Sequence, residues 1–108
     1  MIQESITGVY LERSLILTEK FLEAKLRKNI KAMGGLAVKL WAVSYTGLPD
    51  RLVLLPGGKV CFAELKAPGG VVTKRQAAVH KLLQGLGFQV SVIDSKEALG
   101  AFLEGLPC

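Results

Sequence analysis

Three charged residues lie in or beside two apolar, strand-like stretches near the middle of the chain. Asp50 comes directly before the stretch RLVLL, and Glu64 and Lys66 lie near the end of the next stretch, KVCFAELK. Since side chains on a strand alternate between its two faces, Glu64 and Lys66 share one face and Leu65 points to the other. Charged groups in such surroundings are costly unless they are paired or bound to an ion. These residues are therefore candidates for a catalytic site.

The sequence Pro56-Gly57-Gly58 separates the two stretches and predicts a tight turn, so that the stretches form a β-hairpin. In that hairpin Asp50 lies roughly opposite Glu64, and the two carboxylates come within reach of one ion. Mg²⁺ prefers oxygen ligands and often binds one or two carboxylates together with backbone carbonyl groups and water. The pattern predicts a magnesium site made by Asp50, Glu64 and the backbone carbonyl of Leu65. The Lys66 ammonium could orient an attacking water, help to deprotonate it, and stabilise charge on a phosphate.

Hydrophobic periodicity predicts the order helix–strand–strand–strand–helix–strand–helix around these residues. A strand–helix–strand crossover would place the fourth strand parallel to the third. The expected fold class is therefore α/β, with a mixed β-sheet flanked by α-helices. The expected elements are a helix from Thr18 to Gly34-Gly35, strands at 36–44, 51–55, 59–66 and 88–93, a helix from Thr73 to Gly85 or Gly87, and a short helix capped by Ser95.

The expected core follows from the same periodicity. Thr18 is the expected N-cap of the first helix, with Glu19 in its first turn, and residues 6–17 suit a helix slightly better than a strand. The side chains expected to face inward are Phe21, Leu22, Leu26, Ile30 and Met33 on the first helix, Ala77, Val79, Leu82, Leu83 and Leu86 on the second, and Ala98, Leu99, Phe102 and Leu106 on the last.

Length and composition bound the class of protein. The chain has 108 residues, which suit one domain spanning 1–108, and 50% of them are hydrophobic, with a mean hydropathy of +0.37. So apolar a composition in a small, surface-rich domain favours a homodimer. No apolar run approaches the roughly 20 residues of a membrane span, and no signal-peptide pattern opens the sequence, so we expect a cytoplasmic protein. The net charge of +5 fits a nucleic-acid partner, although many basic domains bind none.

Cysteine, histidine and aromatic residues add little chemistry to the pattern. Cys61 and Cys108 make neither a disulfide framework nor a zinc site, and we expect a small buried side chain and a tail residue. His80 is the single histidine of the sequence, so the further residues that a histidine dyad or zinc catalysis would need are missing. We expect His80 to be exposed on the second helix. We expect Trp41 and Phe62 in the core rather than on a surface that stacks bases.

The longer pattern around the charged residues resembles a known family of nucleases. Pro49-Asp50 followed by Glu64-Leu65-Lys66 resembles the PD-(D/E)XK signature of phosphodiesterases. The strings GLPDRLVLLPGG and FAELKAPGG, with Gly34-Gly35 after the first helix, Lys39 on the first strand and Gln76 opening the second helix, resemble the VRR-NUC family over residues 18–95. The resemblance implies a restriction-endonuclease-like fold and a DNA endonuclease that depends on Mg²⁺ or Mn²⁺. It also implies action on branched DNA, such as Holliday junctions, by a homodimer.

The resemblance implies roles for individual side chains. It places the metal-binding carboxylates on Asp50 and Glu64, and the catalytic lysine on Lys66. Gln76 matches a glutamine of the family's second helix, a hydrogen-bond partner for Lys66 or for phosphate.

The family's acid on the first helix matches two positions of this sequence. Glu19 and Glu23 are separated by one helical turn, so both can face the same way. Glu23 lies eleven residues before Gly34, at the border of the apolar stripe, and is the preferred match. The helix dipole alone can explain Glu19. Residues 1–17 lie outside the resemblance.

Several of these charged residues also fit ordinary structural roles. Lys74, Arg75 and Lys81 are either a DNA-facing patch or ordinary solvated charges, and the sequence leaves both open. Lys39 is a further candidate DNA contact that would share the Glu64 face of the sheet, and its membership of the site is equally open. Asp50 alone is typical of a turn, and Glu64 with Lys66 alone of a solvent-facing pair, but their spacing between glycines favours catalysis.

Two further classes of protein would have this composition and fold. A non-cleaving DNA-binding module of the same fold would lack a catalytic residue, and none is missing. A basic assembly protein without enzymatic activity would not respond to metal.

Overall fold

The computed structural model shows the predicted order of elements, with three helices and a four-stranded sheet in the part of the chain that it describes. That part comprises residues 7–41 and 44–107, with side chains from residue 18 onward. The helices are α1 (Thr7–Ala32), α2 (Lys74–Gly85) and α3 (Lys96–Glu104), and the strands are β1 (Leu36–Lys39), β2 (Arg51–Leu55), β3 (Lys59–Leu65) and β4 (Gln89–Ile93). None of these helices is long and apolar enough to cross a membrane.

The sheet is mixed and has the strand order β1-β2-β3-β4. The first three strands are antiparallel, and β4 runs parallel to β3, which confirms the predicted crossover. The hairpin turn at Pro56–Gly58 places Gly57 and Gly58 at φ angles of 83° and 75°, a region that glycine occupies without strain. In the resulting register Arg51 lies opposite Ala63. Asp50 and Glu64, one position further along each strand, are therefore brought face to face.

One face of the sheet carries the hydrophobic core, which α1 and α3 cover. The predicted inward residues Leu22, Leu26 and Ile30 of α1 are fully buried, as expected from their i, i+4, i+8 spacing. The core consists of these three residues together with Val53, Cys61, Ala63, Leu65, Ile93, Leu99, Phe102 and Leu106. The predicted inward face of α3 is confirmed, with Ala98 partly buried beside it.

Cys61 behaves as a buried hydrophobic residue, as predicted. It is a free thiol with no exposed surface, and burial raises its pKa to about 11. Such a thiol stays protonated and unreactive at neutral pH. Cys108 lies outside the described residues.

The first helix begins earlier than the sequence indicated. It starts at Thr7, so Thr18 lies inside the helix and its assignment as an N-cap was wrong. The slight preference for helix before residue 18 is confirmed from Thr7 onward. A threonine followed by a glutamate resembles a helix start, but no helix-ending signal precedes Thr18, so the helix runs through it.

Two α1 side chains that were expected to face inward are largely exposed, Phe21 and Met33. Phe21 lies about 100° around the helix from Leu22, outside the buried stripe. Its ring is instead approached by the ammonium groups of Lys25 and Lys96, at 5.5 and 5.3 Å from the ring centroid. The aromatic ring therefore contacts cations at the edge of the core rather than the core itself.

The second helix begins at the predicted position but presents a different face to the sheet. Thr73 is its N-cap, as expected. Val79 is buried and Leu83 is half-buried, whereas Ala77, Leu82 and Leu86 are exposed, contrary to expectation. His80 is buried instead of exposed. The inward face is therefore the i, i+3, i+4, i+7 set that begins at residue 76, and not the stripe through Leu82 and Leu86.

The first strand is shorter than expected, and the tryptophan after it is not in the core. Strand β1 ends at Lys39 rather than at residue 44, and residues 42–43 lie outside the described part. Trp41 is 78% exposed, so its assignment to the core was wrong. Phe62 is half-buried and packs edge-on against Phe88, with ring centroids 5.5 Å apart. Phe62 alternates with the core residues Cys61 and Ala63 and so lies on the other face of the sheet, which means that its assignment to the core was wrong.

The loop before β2 is seated tightly on α2. Gly47 has a φ of 91°, and a Cβ atom there would lie 2.8 Å from the Val79 Cγ2 and 3.0 Å from the backbone oxygen of Arg75. The Arg75 Nε donates to the backbone oxygen of Thr46 at 3.1 Å and to its hydroxyl at 3.2 Å. This close packing fixes the chain a few residues before Asp50.

Gly47→Ala is expected to lower the free energy of unfolding by about 1–3 kcal/mol more than Gly57→Ala, because the added methyl group overpacks the contact with α2. Both glycines have positive φ, and nothing lies within 4 Å of a Cβ atom at Gly57. The cost of placing alanine at a positive φ angle is therefore the same in both variants. The difference between their losses of unfolding free energy measures the packing of residue 47 against α2. Urea denaturation of the two variants measures it; equal losses would mean that the loop is not held by α2.

Candidate active site

Asp50 and Glu64 lie side by side, and each carboxylate accepts a hydrogen bond from a backbone N–H group of the other strand. The Asp50 N–H donates to the Glu64 Oε1 at 3.2 Å, and the Leu65 N–H donates to the Asp50 Oδ2 at 2.9 Å. The two side chains thus continue the hydrogen-bonding between β2 and β3 beyond the last backbone pair. The hairpin register predicted from the glycine turn produces this arrangement directly.

Gln76 joins the two strands to α2. Its Nε2 donates to the Glu64 Oε2 at 3.1 Å, and its Oε1 accepts from the Lys66 Nζ at 3.2 Å and from the Thr73 N–H at 2.9 Å. The Lys66 Nζ also lies 3.3 Å from the Glu64 Oε2. The structure therefore brings together four of the predicted site residues, namely Asp50, Glu64, Lys66 and Gln76. Because α2 reaches the face opposite Leu65, the site lies on the side of the sheet away from the α1 core.

The electrostatics of Glu64 favour a bound cation. Glu64 is only 2% exposed. Burial, and then the neighbouring charge of Asp50, raise the pKa of Glu64, while Lys66 acts in the opposite direction. A carboxyl whose pKa is raised in the folded state stabilises the fold when protonated, and this stability is lost as the pH rises through that pKa. A cation between the two carboxylates would offset this cost of ionisation.

The donor set fits a hard divalent ion. Within the described residues, no group of three or more histidine, cysteine, aspartate and glutamate side chains is gathered to hold a metal. Mg²⁺ does not need one, since one or two carboxylates with carbonyl oxygen and water are sufficient. The N–H and C=O groups of one strand residue face the same neighbour. Because the Leu65 N–H donates to Asp50, the Leu65 carbonyl lies on the same side.

Glu23 is not brought to this pair of carboxylates. Its Oε2 lies 2.7 Å from the Arg51 Nη2, and Arg51 is 6% exposed. Arg51 lies opposite Ala63, so its side chain points to the α1 face, away from Glu64. In the described structure neither Glu19 nor Glu23 forms a group of three acids with Asp50 and Glu64. An arginine in an apolar strand was the sequence signal that Glu23 has a partner of its own.

The candidate DNA-contacting cations lie in different surroundings. Lys39 lies opposite Arg51 and so shares the α1 face, not the Glu64 face, and its Nζ is 5.7 Å from the Trp41 ring centroid. Lys74 is exposed at the start of α2. Arg75 holds the Thr46 loop and lies 5.2 Å from the centroid of the Tyr45 ring. Its observed role is therefore to position the loop.

His80 is a residue of this region that sequence reasoning missed. It lies one turn after Gln76 on the inward face of α2 and is 7% exposed. Burial, and then the positive charge of Lys66, lower its pKa, whereas Asp50 acts in the opposite direction. The available signal was its i, i+4 spacing from Gln76, which already faced the strands.

Comparisons with known proteins agree with this geometry. No family model matches the chain. The protein named "Putative nuclease p44", from Acyrthosiphon pisum secondary endosymbiont phage 1, is 42% identical over 82 residues, which cover 76% of this chain and 88% of that protein. Among solved structures, a VRR-NUC domain is similar with a TM-score of 0.74 and 28% identity, over 82% of this chain and 96% of that one. The fold is thus the restriction-endonuclease-like fold that was expected, and the chain belongs to the VRR-NUC family of nucleases.

Proposed function

We propose that this nuclease is a DNA endonuclease that hydrolyses phosphodiester bonds with Mg²⁺, or with Mn²⁺ in its place. The observation that supports the proposal is the network of Asp50, Glu64, Lys66 and Gln76, in which two carboxylates, an ammonium group and an amide are held within hydrogen-bonding distance of one another. Such a network is costly to bury without a functional role.

The carboxylates of Asp50 and Glu64 and the carbonyl of Leu65 would hold the cation. When bound, such an ion polarises a phosphoryl oxygen and lowers the pKa of a bound water. Lys66 is held at the edge of this pair by Gln76, so its ammonium group has a fixed place from which to orient water and stabilise charge on phosphate. Gln76 is itself fixed, because its Oε1 also accepts from the helix N-cap.

Branched DNA and a homodimer complete the proposal. Cutting two strands requires two sites, and a symmetric dimer supplies them with a two-fold axis that suits a two-fold junction. Exposed apolar side chains support a subunit interface, among them Phe21 and Met33 on α1. We also assign residues 1–17 to this interface, together with the first helix; their side chains lie outside the described residues.

Asp50→Asn and Glu64→Gln are expected to abolish cleavage and to weaken Mn²⁺ binding, because each removes a charged oxygen ligand. Incision of labelled linear, flap and four-way DNA with Mg²⁺ or with EDTA, together with Mn²⁺ calorimetry and circular dichroism, tests this. Glu97→Gln, on the exposed start of α3, is the matched control and should behave as wild type. A folded Asp50 or Glu64 variant with full activity would contradict the metal site. If the wild-type protein binds DNA without cutting it, the chain is instead the non-cleaving DNA-binding module.

Lys66→Ala is expected to retain Mn²⁺ binding but to lose turnover, because the ammonium group acts on water and phosphate. Lys66 also lowers the pKa of Glu64, so its removal raises that pKa and strengthens competition by protons. The Mn²⁺ titration is therefore done at a pH well above neutral, where competition by protons is weakest. A parallel loss of binding and turnover at that pH would show that Lys66 supports the metal site rather than the reaction.

Glu23→Gln is expected to leave incision close to that of Glu19→Gln, because Arg51 holds the Glu23 carboxylate on the α1 face of the sheet, away from Asp50 and Glu64. It also breaks the ion pair with Arg51 and is expected to cost about 1–2 kcal/mol of stability, since Glu23 is partly exposed. Incision and urea denaturation are measured on the same samples. Lost stability with full incision is the expected result. An at least tenfold loss of incision, about 1.4 kcal/mol of transition-state stabilisation, would instead assign to Glu23 the catalytic role that the resemblance implies.

Light scattering at micromolar concentration is expected to give about twice the chain mass of 11.6 kDa. The reason is the exposed apolar surface on α1 and beside β1. A mass equal to that of one chain would rule out the dimer at that concentration.

A further inference from the structure

His80 occupies a position that packing alone does not explain. It lies on the inward face of α2, 7% exposed, and its Nε2 is buried without a hydrogen-bond partner in the described part of the chain. Leaving such a nitrogen unsatisfied costs about 1–3 kcal/mol, which an apolar side chain of similar size would avoid. On the same helix Leu82 is 51% exposed, so α2 buries a polar side chain while it leaves an apolar one exposed to solvent.

The surroundings of His80 are those of the candidate active site. Gln76, one turn earlier, bonds both Glu64 and Lys66. The charges of Lys66 and Asp50 both act on the imidazole, with opposite sign. His80 lies one turn after Gln76 on the face of α2 that meets the strand ends, and its burial directs the ring to that side of the helix. Burial together with Lys66 keeps the ring neutral, so one of its nitrogens is a hydrogen-bond acceptor.

We propose that His80 is a positioning residue of the nuclease, whose Nε2 accepts a hydrogen bond from a water molecule held beside Asp50 and Lys66. This inference rests on the proposed function. A water bound to a cation, or placed to attack phosphate, directs its hydrogens outward and needs acceptors there. The Lys66 ammonium can only donate, and the Gln76 Oε1 already accepts from Lys66 and Thr73, so a neutral imidazole supplies a further acceptor beside the carboxylates. Outer partners of this kind orient the groups that hold a metal.

The proposal fixes the tautomer of the ring. If Nε2 is the acceptor, the proton resides on Nδ1. His80 is the single histidine of the sequence, so protein labelled with ¹⁵N-histidine contains one imidazole signal set. The protonated and unprotonated nitrogens of a neutral ring have well-separated shifts. We expect Nε2 to be unprotonated, and to shift when Mg²⁺ is added to the full chain.

Kinetics of two variants test the role of the acceptor. His80→Phe keeps a planar ring at this position, somewhat larger, and removes both ring nitrogens, and we expect kcat to fall roughly 10- to 100-fold with little change in KM for DNA. His80→Gln retains a polar group at the same reach and should restore most of the loss. Leu83→Ala, one turn further along the same face, is the control for packing and should lower stability with kcat unchanged.

The outcomes separate this inference from the proposed function. A wild-type protein without metal-dependent cleavage overturns both. A wild-type protein that cuts DNA, together with a folded His80→Phe variant of unchanged kcat, overturns the inference alone. A protonated Nε2 that does not respond to Mg²⁺ also overturns it. Loss of kcat in His80→Phe and Leu83→Ala alike, in proportion to their stability, would assign His80 to packing and contradict the proposal.

Discussion

The confinement of two carboxylates at one end of a β-hairpin is the constraint on which the rest of this structure depends. Asp50 and Glu64 lie where the β2–β3 ladder ends, and each accepts a backbone N–H from the other strand. Those bonds fix the oxygens in place but do not cancel the charge of two neighbouring acids in a buried setting. The Lys66 ammonium and the Gln76 amide both contact the same oxygen of Glu64, Oε2. The arrangement would accept a further cation, as the proposed metal-dependent cleavage requires.

Helix α2 links the two carboxylates and Lys66 to the rest of the fold. The Gln76 Oε1 accepts from the helix N-cap residue Thr73 and from Lys66, so one oxygen both starts the helix and holds the lysine. The helix cannot rotate about its axis without breaking that contact. The loop before Asp50 is packed on the same helix through Gly47. The site is thus positioned by a hairpin register and a helix start, both of which are local features of the sequence.

Local signals explain why much of this site could be predicted from the sequence. The glycine turn and strand alternation were sufficient to place Asp50 opposite Glu64, and the resemblance carried Gln76. The errors arose where a distant contact decides the outcome. Helix α2 turns its Gln76 face to the strands, which buries His80 and exposes Leu82, although hydrophobicity alone favours the reverse. Likewise the sequence of α1 does not show that Glu23 pairs with the sheet, and the only signal lies far along the chain, in the arginine of an apolar strand.

The most direct test of the metal-site assignment is anomalous diffraction from crystals of the full chain grown with Mn²⁺. We predict an anomalous peak about 2 Å from one oxygen of Asp50 and one of Glu64, with the Leu65 carbonyl on the same side. The peak should disappear in Glu64→Gln crystals. Absence of a peak at this pair, at a Mn²⁺ concentration that supports cleavage, would contradict the assignment of these two carboxylates as the metal site.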